Sequence, residues 1–141
     1  MILRTVTGPD LNVNQLYQIW TIRDTVFAFE QHADDVDADG IDLQPNVTHW
    51  WYEDGGEVAS YLRVIESDEY VKITRVCTRK ENRGGGLSTK LMNEAISANQ
   101  GRKIKITAQA YLEDWYASLG FVRTGENFLE AGIDHVPMSL N

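Results

Sequence analysis

The chain has 141 residues with a formal net charge of −8, and 43% of its residues are hydrophobic. This composition excludes a disordered chain and predicts one folded domain over residues 1–141, while the acidic balance argues against nucleic-acid binding, which needs a basic face. The single cysteine excludes an intrachain disulfide, and without a membrane-length apolar run or a signal-peptide core we expect a cytoplasmic protein with no membrane partner.

The first third of the chain is predicted to form a strand, a helix and a loop. Alternating residues predict a strand over residues 1–6, which Gly8-Pro9-Asp10 ends. Asn12 or Asn14 can cap a helix that runs to about residue 29. An acidic loop over residues 32–42 follows it. Residues that recur every three or four positions define one face of this helix: Leu16, Ile19, Trp20, Arg23, Val26 and Phe27.

The acidic loop leaves more than one interpretation open. Asp35, Asp37 and Asp39 before Gly40 resemble the first half of an EF-hand calcium loop. Position twelve of such a loop is Asn46 here, not a bidentate glutamate. The pattern therefore favours a solvated acidic loop over a metal site. A third interpretation is that the loop attracts a cationic substrate.

The rest of the chain alternates strands with helices, and glycine-containing turns separate several of them. The predicted elements are strands over residues 47–52, 58–65 and 71–78, a helix over 87–99, a strand over 104–108, a helix over 112–119 and a last hairpin of residues 121–128 with 135–140. This order predicts an α/β fold in which a mixed sheet lies between helical layers.

The most informative stretch is the junction between the strand over residues 71–78 and the helix that follows. Three consecutive glycines, Gly84, Gly85 and Gly86, open this helix. Glycine lets the backbone approach a ligand closely, and the first helical N–H groups have no internal acceptor. Together with the helix dipole, they predict an anion site, most often for phosphate. The sequence lacks the patterns of a nucleotide P-loop or a dinucleotide-binding fold.

The glycine run also carries a resemblance. The segment from Arg83 to Ser88 resembles the acetyl-CoA pyrophosphate loop of the GNAT acyltransferases, Q/R-x-x-G-x-G/A, with Ser88 where that family prefers glycine or alanine. Residues 108–121 resemble the family's second signature, a strand end and a short helix with a tyrosine before Gly-Phe. Residues 23–31 and 131–135 resemble motifs of the ElaA-like subgroup, the first being R-x-x-V-F-x-x-E-Q.

This resemblance implies a GNAT-type three-layer fold with a central mixed, mostly antiparallel sheet flanked by helices. It implies a bulged central strand that splays from the next strand, with acetyl-CoA in the resulting cleft. In the family, the main chain of the central strand contacts the acyl and pantetheine part, here Val76, Cys77 and Thr78. The remaining cofactor contacts that the resemblance implies are Arg83, Gly84, Gly85, Gly86, Leu87, Ser88, Thr89 and Gln109.

Some of these residues also have structural interpretations. Gln109 could satisfy backbone groups at a strand end instead of contacting pantetheine. Cys77 could be taken for a nucleophile, but a lone strand cysteine is more often a small buried residue. Tyr116 could be a core aromatic. The resemblance instead places this tyrosine near the thioester sulfur, where a phenol is a fitting general acid for the leaving thiol.

The general base is less clearly marked. Some family members carry a glutamate at a position that corresponds to the neighbourhood of Ile104, which cannot act as a base. The candidates are Glu30, His135 and His49, directly or through a water relay. Glu30 could pair with Arg23 instead, and a strand histidine could simply be packed.

The sequence thus predicts an N-acetyltransferase that moves the acetyl group of acetyl-CoA directly to a primary amine. The acceptor would be a small molecule or a peptide, and no metal would be needed. Because members of the family often dimerise, the resemblance also implies a possible homodimer. An acyl-CoA-binding sensor or interaction module on the same fold is the alternative, because the carboxylate near Ile104 is missing.

Overall fold

Eight strands form one mixed sheet in the computed structural model, which describes residues 1–141. Their order across the sheet is β1-β2-β3-β4-β5-β8-β6, and β7 also pairs with β8. Only β4 and β5 run parallel, which gives the mixed, mostly antiparallel sheet that the sequence predicts. The strands are β1 (Ile2–Thr7), β2 (Val47–Asp54), β3 (Glu57–Glu66), β4 (Tyr70–Thr78), β5 (Lys103–Gln109), β6 (Val122–Arg123), β7 (Phe128–Glu130) and β8 (Ile133–Leu140).

Helices cover both faces of this sheet. They are α1 (Val13–Arg23), α2 (Leu87–Ala98) and α3 (Glu113–Ser118). Alternation along β3 divides the core between the faces, since Tyr61 packs with the α1 residues Ile19 and Ile22, whereas Leu62 packs with the α2 residues Leu91 and Met92. None of the helices is long and apolar enough to cross a bilayer.

The first helix changes character near its end. It begins with a capping box, in which the Asn12 side chain accepts from the Gln15 amide at 2.8 Å and the Gln15 side chain accepts from the Asn12 amide at 3.0 Å. After Arg23 it continues as a π-helix over Asp24–Glu30. The predicted end is correct within one residue, but the predicted regular helix is wrong because this last segment is wider. Single π turns of this kind often occur at functional sites.

The central strand β4 carries the bulge that the resemblance implies. Arg63 of β3 lies opposite Thr74, but Tyr61 lies opposite Cys77, so β4 has one more residue than β3 in this interval. The extra residue accompanies Arg75, whose φ of 58° lies in the left-handed region. Pairing between β4 and β5 stops at Lys72, and beyond it the β5-facing edge of β4 has no strand partner. A cleft therefore opens where the two strands part.

The last hairpin differs from the prediction. The segment predicted as one strand, residues 121–128, contains only β6 and the first residue of β7, and these two short strands both pair with β8. The pairing with β6 ends next to Pro137, whose carbonyl accepts from the Thr124 amide at 2.9 Å. Because proline has no N–H to donate in return, a continuous partner strand is not supported here.

The acidic loop is solvated only in part, because most of its residues are exposed as predicted but Asp42 is buried. Arg23 is fully buried, and its guanidinium donates to Asp37 at 2.8 Å and to Asp42 at 2.6 Å. Asp42 is also buried and accepts from Arg63 at 2.9 Å and from the Trp20 indole at 3.1 Å. Burial of charged groups is costly unless they are paired, so these partners are what permits the loop to enter the interior.

Two further ion pairs complete this network. Arg63 donates to both carboxylate oxygens of Asp39, at 3.0 and 2.8 Å. Arg75 donates to the Asp37 carboxylate at 2.9 Å and approaches Asp39 at 3.4 Å. We name these three arginines and three aspartates the charge network, comprising Arg23, Arg63, Arg75, Asp37, Asp39 and Asp42.

The charge network also argues against calcium binding by the acidic loop. Asp37 and Asp39, which resemble calcium ligands in the sequence, accept hydrogen bonds from arginine side chains. No group of three or more His, Cys, Asp or Glu side chains is arranged to hold a metal ion. The similarity to an EF-hand is therefore limited to the residue pattern, because internal guanidinium groups take the place that a cation would fill.

The charge network predicts a specific loss of stability in acid. Burial alone would raise the pKa of Asp42, but hydrogen bonds and charge from Arg23 and Arg63 lower it from 3.8 to about 2. Its ionisation therefore stabilises the fold fully above about pH 4, and this contribution is lost as pH falls toward 2. We expect Asp42→Asn to reduce the dependence of the unfolding free energy on pH between 4 and 2, measured by urea denaturation.

The same substitution should destabilise the protein at neutral pH by about 3–5 kcal/mol, because Arg23 and Arg63 lose a buried partner. Some acid dependence should remain, since the pKa of Asp39 is also lowered by its arginine partners against the effect of burial. Asp35→Asn, an exposed neutralisation in the same loop, is the control and should behave like the wild type. Parallel pH curves for wild type and Asp42→Asn would contradict the assignment.

Candidate functional site

The glycine run forms an open nest of backbone donors at the start of α2. Gly84 and Gly86 have φ values of 87° and 79°, which favour glycine. The amides of residues 84–89 donate to no acceptor within the protein, which leaves six consecutive N–H groups free. A Cβ built on Gly84, Gly85 or Gly86 would meet no atom within 4 Å. This arrangement suits an anion that approaches the backbone closely.

A cleft of about 190 Å³ lies against this nest. Thr78 at the end of β4, Asn82 and Arg83 before the glycines, Trp115 of α3 and the first turn of α2 line it. The cleft therefore joins the glycine nest to the end of the bulged strand. It lies at the end of β4 that has no β5 partner.

Side-chain hydroxyls fasten the start of α2 to its surroundings. Thr78 is hydrogen-bonded to Ser60 at 2.7 Å and also to Ser88. Thr89 accepts from the Trp115 indole at 3.0 Å. These contacts explain the departure at Ser88, since its hydroxyl bonds to β4 where the family prefers a residue without one. Because these hydroxyls are engaged, the free donors of the nest are its backbone amides.

Arg83 is held by the end of the π-helix. Its Nη2 lies 2.5 Å from Glu30 Oε1, and its Nε donates to the Thr78 carbonyl at 2.9 Å. The predicted alternative, in which Glu30 pairs with Arg23, is wrong. Arg23 pairs instead with Asp37 and Asp42 of the charge network. Both members of the Glu30–Arg83 pair remain partly exposed, at 25% and 43% of their side-chain areas. An incoming anion can therefore reach the guanidinium.

Gln109 bridges the two sides of the opening. Its amide group donates to the Gln31 side chain at 2.7 Å, which joins the end of β5 to the residue that follows the π-helix. In the sheet register it lies opposite His135 of β8. Its side chain is thus bonded to another side chain, and the interpretation that it satisfies strand-end backbone groups is not what the structure shows.

Tyr116 is buried, but its hydroxyl is unpaired. The ring packs edge-on against Trp115 and Phe121, with centroids 4.7 and 6.0 Å away. The residue is 6% exposed, and its hydroxyl makes no hydrogen bond within the protein. Because no fully buried polar side-chain atom lacks a partner, this hydroxyl is reached by solvent. Burial raises the pKa of Tyr116, so the phenol is protonated at neutral pH.

The remaining strand residues keep structural side chains. Cys77 is buried in the core cluster beneath α1, and burial raises the pKa of its thiol. This environment favours an inert thiol over a nucleophile. Val76 packs against the opposite cluster, beneath α2. Any contact that this part of β4 makes with a ligand would therefore come from its main chain.

Of the two histidine candidates, His49 is excluded as a base. It is fully buried, its Nε2–H donates to the Asp42 carbonyl at 2.8 Å, and its Nδ1 accepts from the Tyr61 hydroxyl at 2.6 Å. Both ring nitrogens are therefore occupied. Burial lowers the pKa of His49, with Arg23 and Arg63 adding to the effect, so the ring is neutral.

His135 is differently placed. Its Nδ1 donates to the Ile133 carbonyl at 2.7 Å, and its ring stacks on Phe128 with centroids 6.1 Å apart. Its Nε2 makes no hydrogen bond and lies 3.7 Å from the Glu130 carboxylate. In a neutral ring this nitrogen carries the lone pair, so it is available to accept a proton.

Comparison with known proteins identifies the family. A family model described as acetyltransferase (GNAT) domain matches residues 9–141. The chain belongs to this GNAT family.

Related GNAT proteins cover nearly the whole chain. UPF0039 protein Rv2851c of Mycobacterium tuberculosis is 40% identical over 141 residues, covering 96% of this chain and 90% of that protein. Protein ElaA of Escherichia coli is 33% identical over 139 residues, covering 92% and 90%. These similarities confirm the predicted GNAT family and its ElaA-like subgroup.

Solved GNAT structures share the fold. The crystal structure of Escherichia coli ElaA superposes over all of both chains with a TM-score of 0.95 and 29% identity. An acyl-CoA N-acyltransferase from Pseudomonas aeruginosa superposes over all of both chains with a TM-score of 0.93 and 28% identity. These matches confirm the predicted fold class and relate it to acyl transfer from coenzyme A.

The sequence prediction missed the contacts that organise this GNAT site. The contact of Gln31 with Gln109 and the pairing of Glu30 with Arg83 were not predicted. Glu30 and Gln31 are nevertheless the last two residues of the R-x-x-V-F-x-x-E-Q motif. The motif itself could have indicated these contacts. Its arginine, Arg23, bonds within the charge network, whereas Glu30 bonds to Arg83 and Gln31 bonds to Gln109.

The glycine nest predicts a charge-specific effect on coenzyme A binding. Gly85 is the best test position, because its φ lies outside the left-handed region and a side chain there meets open space. Gly85→Asp should remove the rise in melting temperature that coenzyme A gives the wild type, since a carboxylate repels phosphate. Gly85→Asn, of the same shape but neutral, should keep most of it. Equal shifts for both variants would argue against an anion at this nest.

Proposed function

We propose that this GNAT protein is an N-acetyltransferase that moves the acetyl group of acetyl-CoA directly to a primary amine of a small molecule or peptide. The observation that carries the proposal is the run of six free amides beside the cleft where β4 and β5 part. Such a nest suits the pyrophosphate of coenzyme A, and family membership supports acyl transfer from that carrier.

The substrate would lie along the cleft in two parts. Its pyrophosphate would take the amides of residues 84–89, with Arg83 supplying a positive charge that Glu30 now neutralises. Its pantetheine arm would follow the unpaired edge of β4 past Thr78, Cys77 and Val76 toward the bulge. Gln109 would border this path from β5, where its bond to Gln31 already closes one side.

In the reaction, the acceptor nitrogen forms a bond to the acyl carbon, and the carbon–sulfur bond then breaks. Negative charge develops first on the acyl oxygen, where main-chain N–H groups of β4 would stabilise it. The departing thiolate takes a proton from Tyr116, whose hydroxyl is protonated and free of other bonds. The amine gives up a proton to a base. Orientation of the two substrates in the cleft supplies much of the acceleration.

For the base we favour His135 over Glu30. Glu30 is paired with Arg83 at the phosphate end of the cleft, which commits its carboxylate to a positioning role. His135 has a free Nε2 and lies across the sheet register from Gln109, beside the opening. A water molecule can relay the proton from the amine to this nitrogen, since the ring itself is mostly buried.

We propose that the acceptor is a cation in bulk water. The acidic loop has less unpaired negative charge to attract it than the sequence indicates. Asp37, Asp39 and Asp42 are matched by three arginines. Asp34 and Asp35 are exposed and could attract a cationic acceptor. The Asp34 amide donates to the Ala131 carbonyl in the turn between β7 and β8. These two carboxylates lie where the loop meets the last hairpin.

The direct test is release of free thiol from acetyl-CoA in the presence of amines. The panel should contain polyamines, amino acids, aminoglycosides and peptides, each with an acetylated derivative as the matched inert control. Thiol release that depends on a free amine would support the proposal. Coenzyme A binding without turnover on any amine would instead support an acyl-CoA-binding sensor.

Tyr116→Phe separates a catalytic phenol from a packing residue. It removes one hydroxyl and keeps the ring contacts with Trp115 and Phe121, so the melting temperature and coenzyme A binding should change little. We expect kcat to fall by roughly 10²–10⁴-fold, the range for one general acid. Tyr111→Phe, at a tyrosine 73% exposed in the neighbouring segment, is the matched control. A Tyr116→Phe enzyme with kcat within a few-fold of wild type would rule out this acid.

A second pair of variants distinguishes the proposed roles of His135 and Glu30. His135→Gln should lower kcat by about 10²-fold, because the proton acceptor is lost. Glu30→Gln should leave kcat within a few-fold and change KM for acetyl-CoA, because it alters only the partner of Arg83. His32→Asn, at an exposed histidine with a φ of 55° that asparagine tolerates, is the control. The reverse pattern would make Glu30 the base.

A further inference from the structure

The bulge in β4 is built on an unusual residue for its conformation. Arg75 has a φ of 58°, a region in which side chains with a Cβ are strained and glycine is not. It stands in the interval where β4 carries one more residue than β3. Since arginine gives the bulge no conformational advantage over glycine, the value of Arg75 must come from its side chain.

That side chain is bonded to the acidic loop. Its Nε donates to the Asp37 carboxylate at 2.9 Å, and its Nη2 donates to the Asp37 carbonyl at 3.2 Å and to Asp39 at 3.4 Å. Although 28% of the Arg75 side chain is exposed, its polar end is directed to these two residues. The bulge is thereby connected to a loop 36–38 residues earlier in the chain.

The acidic loop is itself held by two further arginines. Asp37 also accepts from Arg23 through its second carboxylate oxygen at 2.8 Å and through its carbonyl at 2.9 Å. Arg23 is fully buried, and Arg63 grips both oxygens of Asp39. A movement of the bulge would therefore break the charged hydrogen bonds of Arg75 to Asp37, whose side chain is 16% exposed and is also bonded to the fully buried Arg23.

The residues that follow the bulge are those proposed to face the acyl group. Val76, Cys77 and Thr78 come directly after Arg75, and their β5-facing edge has no strand partner to hold it. A shift of one residue would turn each of them to the opposite face of the sheet. Pairing with β3 holds Cys77 and Thr78 from one edge only, and the bulge lies where that pairing is out of register.

We propose that Arg75 is a positioning residue, whose ion pairs with Asp37 and Asp39 hold the bulge so that the main chain of Val76 and Cys77 is aimed at the acyl carbonyl. This inference rests on the proposed function. It assigns the acidic loop an internal role in catalysis, in addition to its role in stability.

Two substitutions separate the ion pair from the backbone conformation. Arg75→Asn tolerates the left-handed region but lacks the charge, whereas Arg75→Lys keeps the charge in a residue that tolerates this region less well. If the ion pair positions the bulge, kcat should fall about 10-fold or more in Arg75→Asn and less in Arg75→Lys. KM for acetyl-CoA and the coenzyme A affinity should stay within about 3-fold in both, because the glycine nest is separate.

Arg4→Asn is the matched control, since Arg4 forms an exposed ion pair with Glu53 at the far edge of the sheet and should not affect kcat. The opposite order, with Arg75→Asn as active as wild type and Arg75→Lys impaired, would overturn the proposal. Because loss of the Arg75 charge also removes ion pairs from the charge network, kcat is compared per folded molecule, with the melting curve measured on the same preparation.

A second measurement does not depend on turnover. Amide hydrogen exchange at Val76 and Cys77, measured with coenzyme A bound, should be at least about 10-fold faster in Arg75→Asn than in wild type or in Arg4→Asn. Unchanged exchange would overturn the positioning role. If the wild type transfers no acetyl group to any amine, the proposed function fails, and this exchange measurement still decides whether Arg75 holds the bulge.

Discussion

Charge balance inside the protein is the constraint on which the other features depend. Three guanidinium groups and three carboxylates lie between α1, the acidic loop, β3 and β4, and each is hydrogen-bonded to groups of opposite sign. Desolvation of a single unmatched member would be strongly unfavourable. The loop is therefore drawn inward, the start of the π-helix is fixed through Arg23, and the bulge is held through Arg75.

The cleft, by contrast, presents mainly backbone groups. The parting of β4 and β5 exposes a strand edge, and the glycine run exposes a row of amides that no side chain satisfies. Side chains around it, such as Thr78, Ser88 and Trp115, mostly hold these backbone groups in place. Tyr116 is the exception, because its hydroxyl is free while its ring is packed.

Local patterns made much of this predictable. The glycine run, the apolar face of α2 and the tyrosine before Gly120-Phe121 are signals within a few residues, and they led to the correct fold class and family. The charge network was not predictable in this way, because Arg23 and Asp37 are 14 positions apart and Arg75 and Asp37 are 38 apart. Asp37, Asp39 and Asp42 look solvated in sequence, and only the folded chain brings the arginines to them. The broken last hairpin depended similarly on Pro137 in a neighbouring strand.

The charge network also restricts how this sequence can change over time. Replacement of Asp39 alone would leave Arg63 with one carboxylate and weaken the hold on Arg75. Replacement of Arg63 alone would leave Asp42 paired only with Arg23 and Asp39 with only its 3.4 Å contact to Arg75. A single substitution within the network therefore passes through a less stable intermediate sequence. Paired replacements avoid this loss, so divergence should proceed there by compensated double changes, whereas exposed neighbours such as Asp35 are free to drift one at a time.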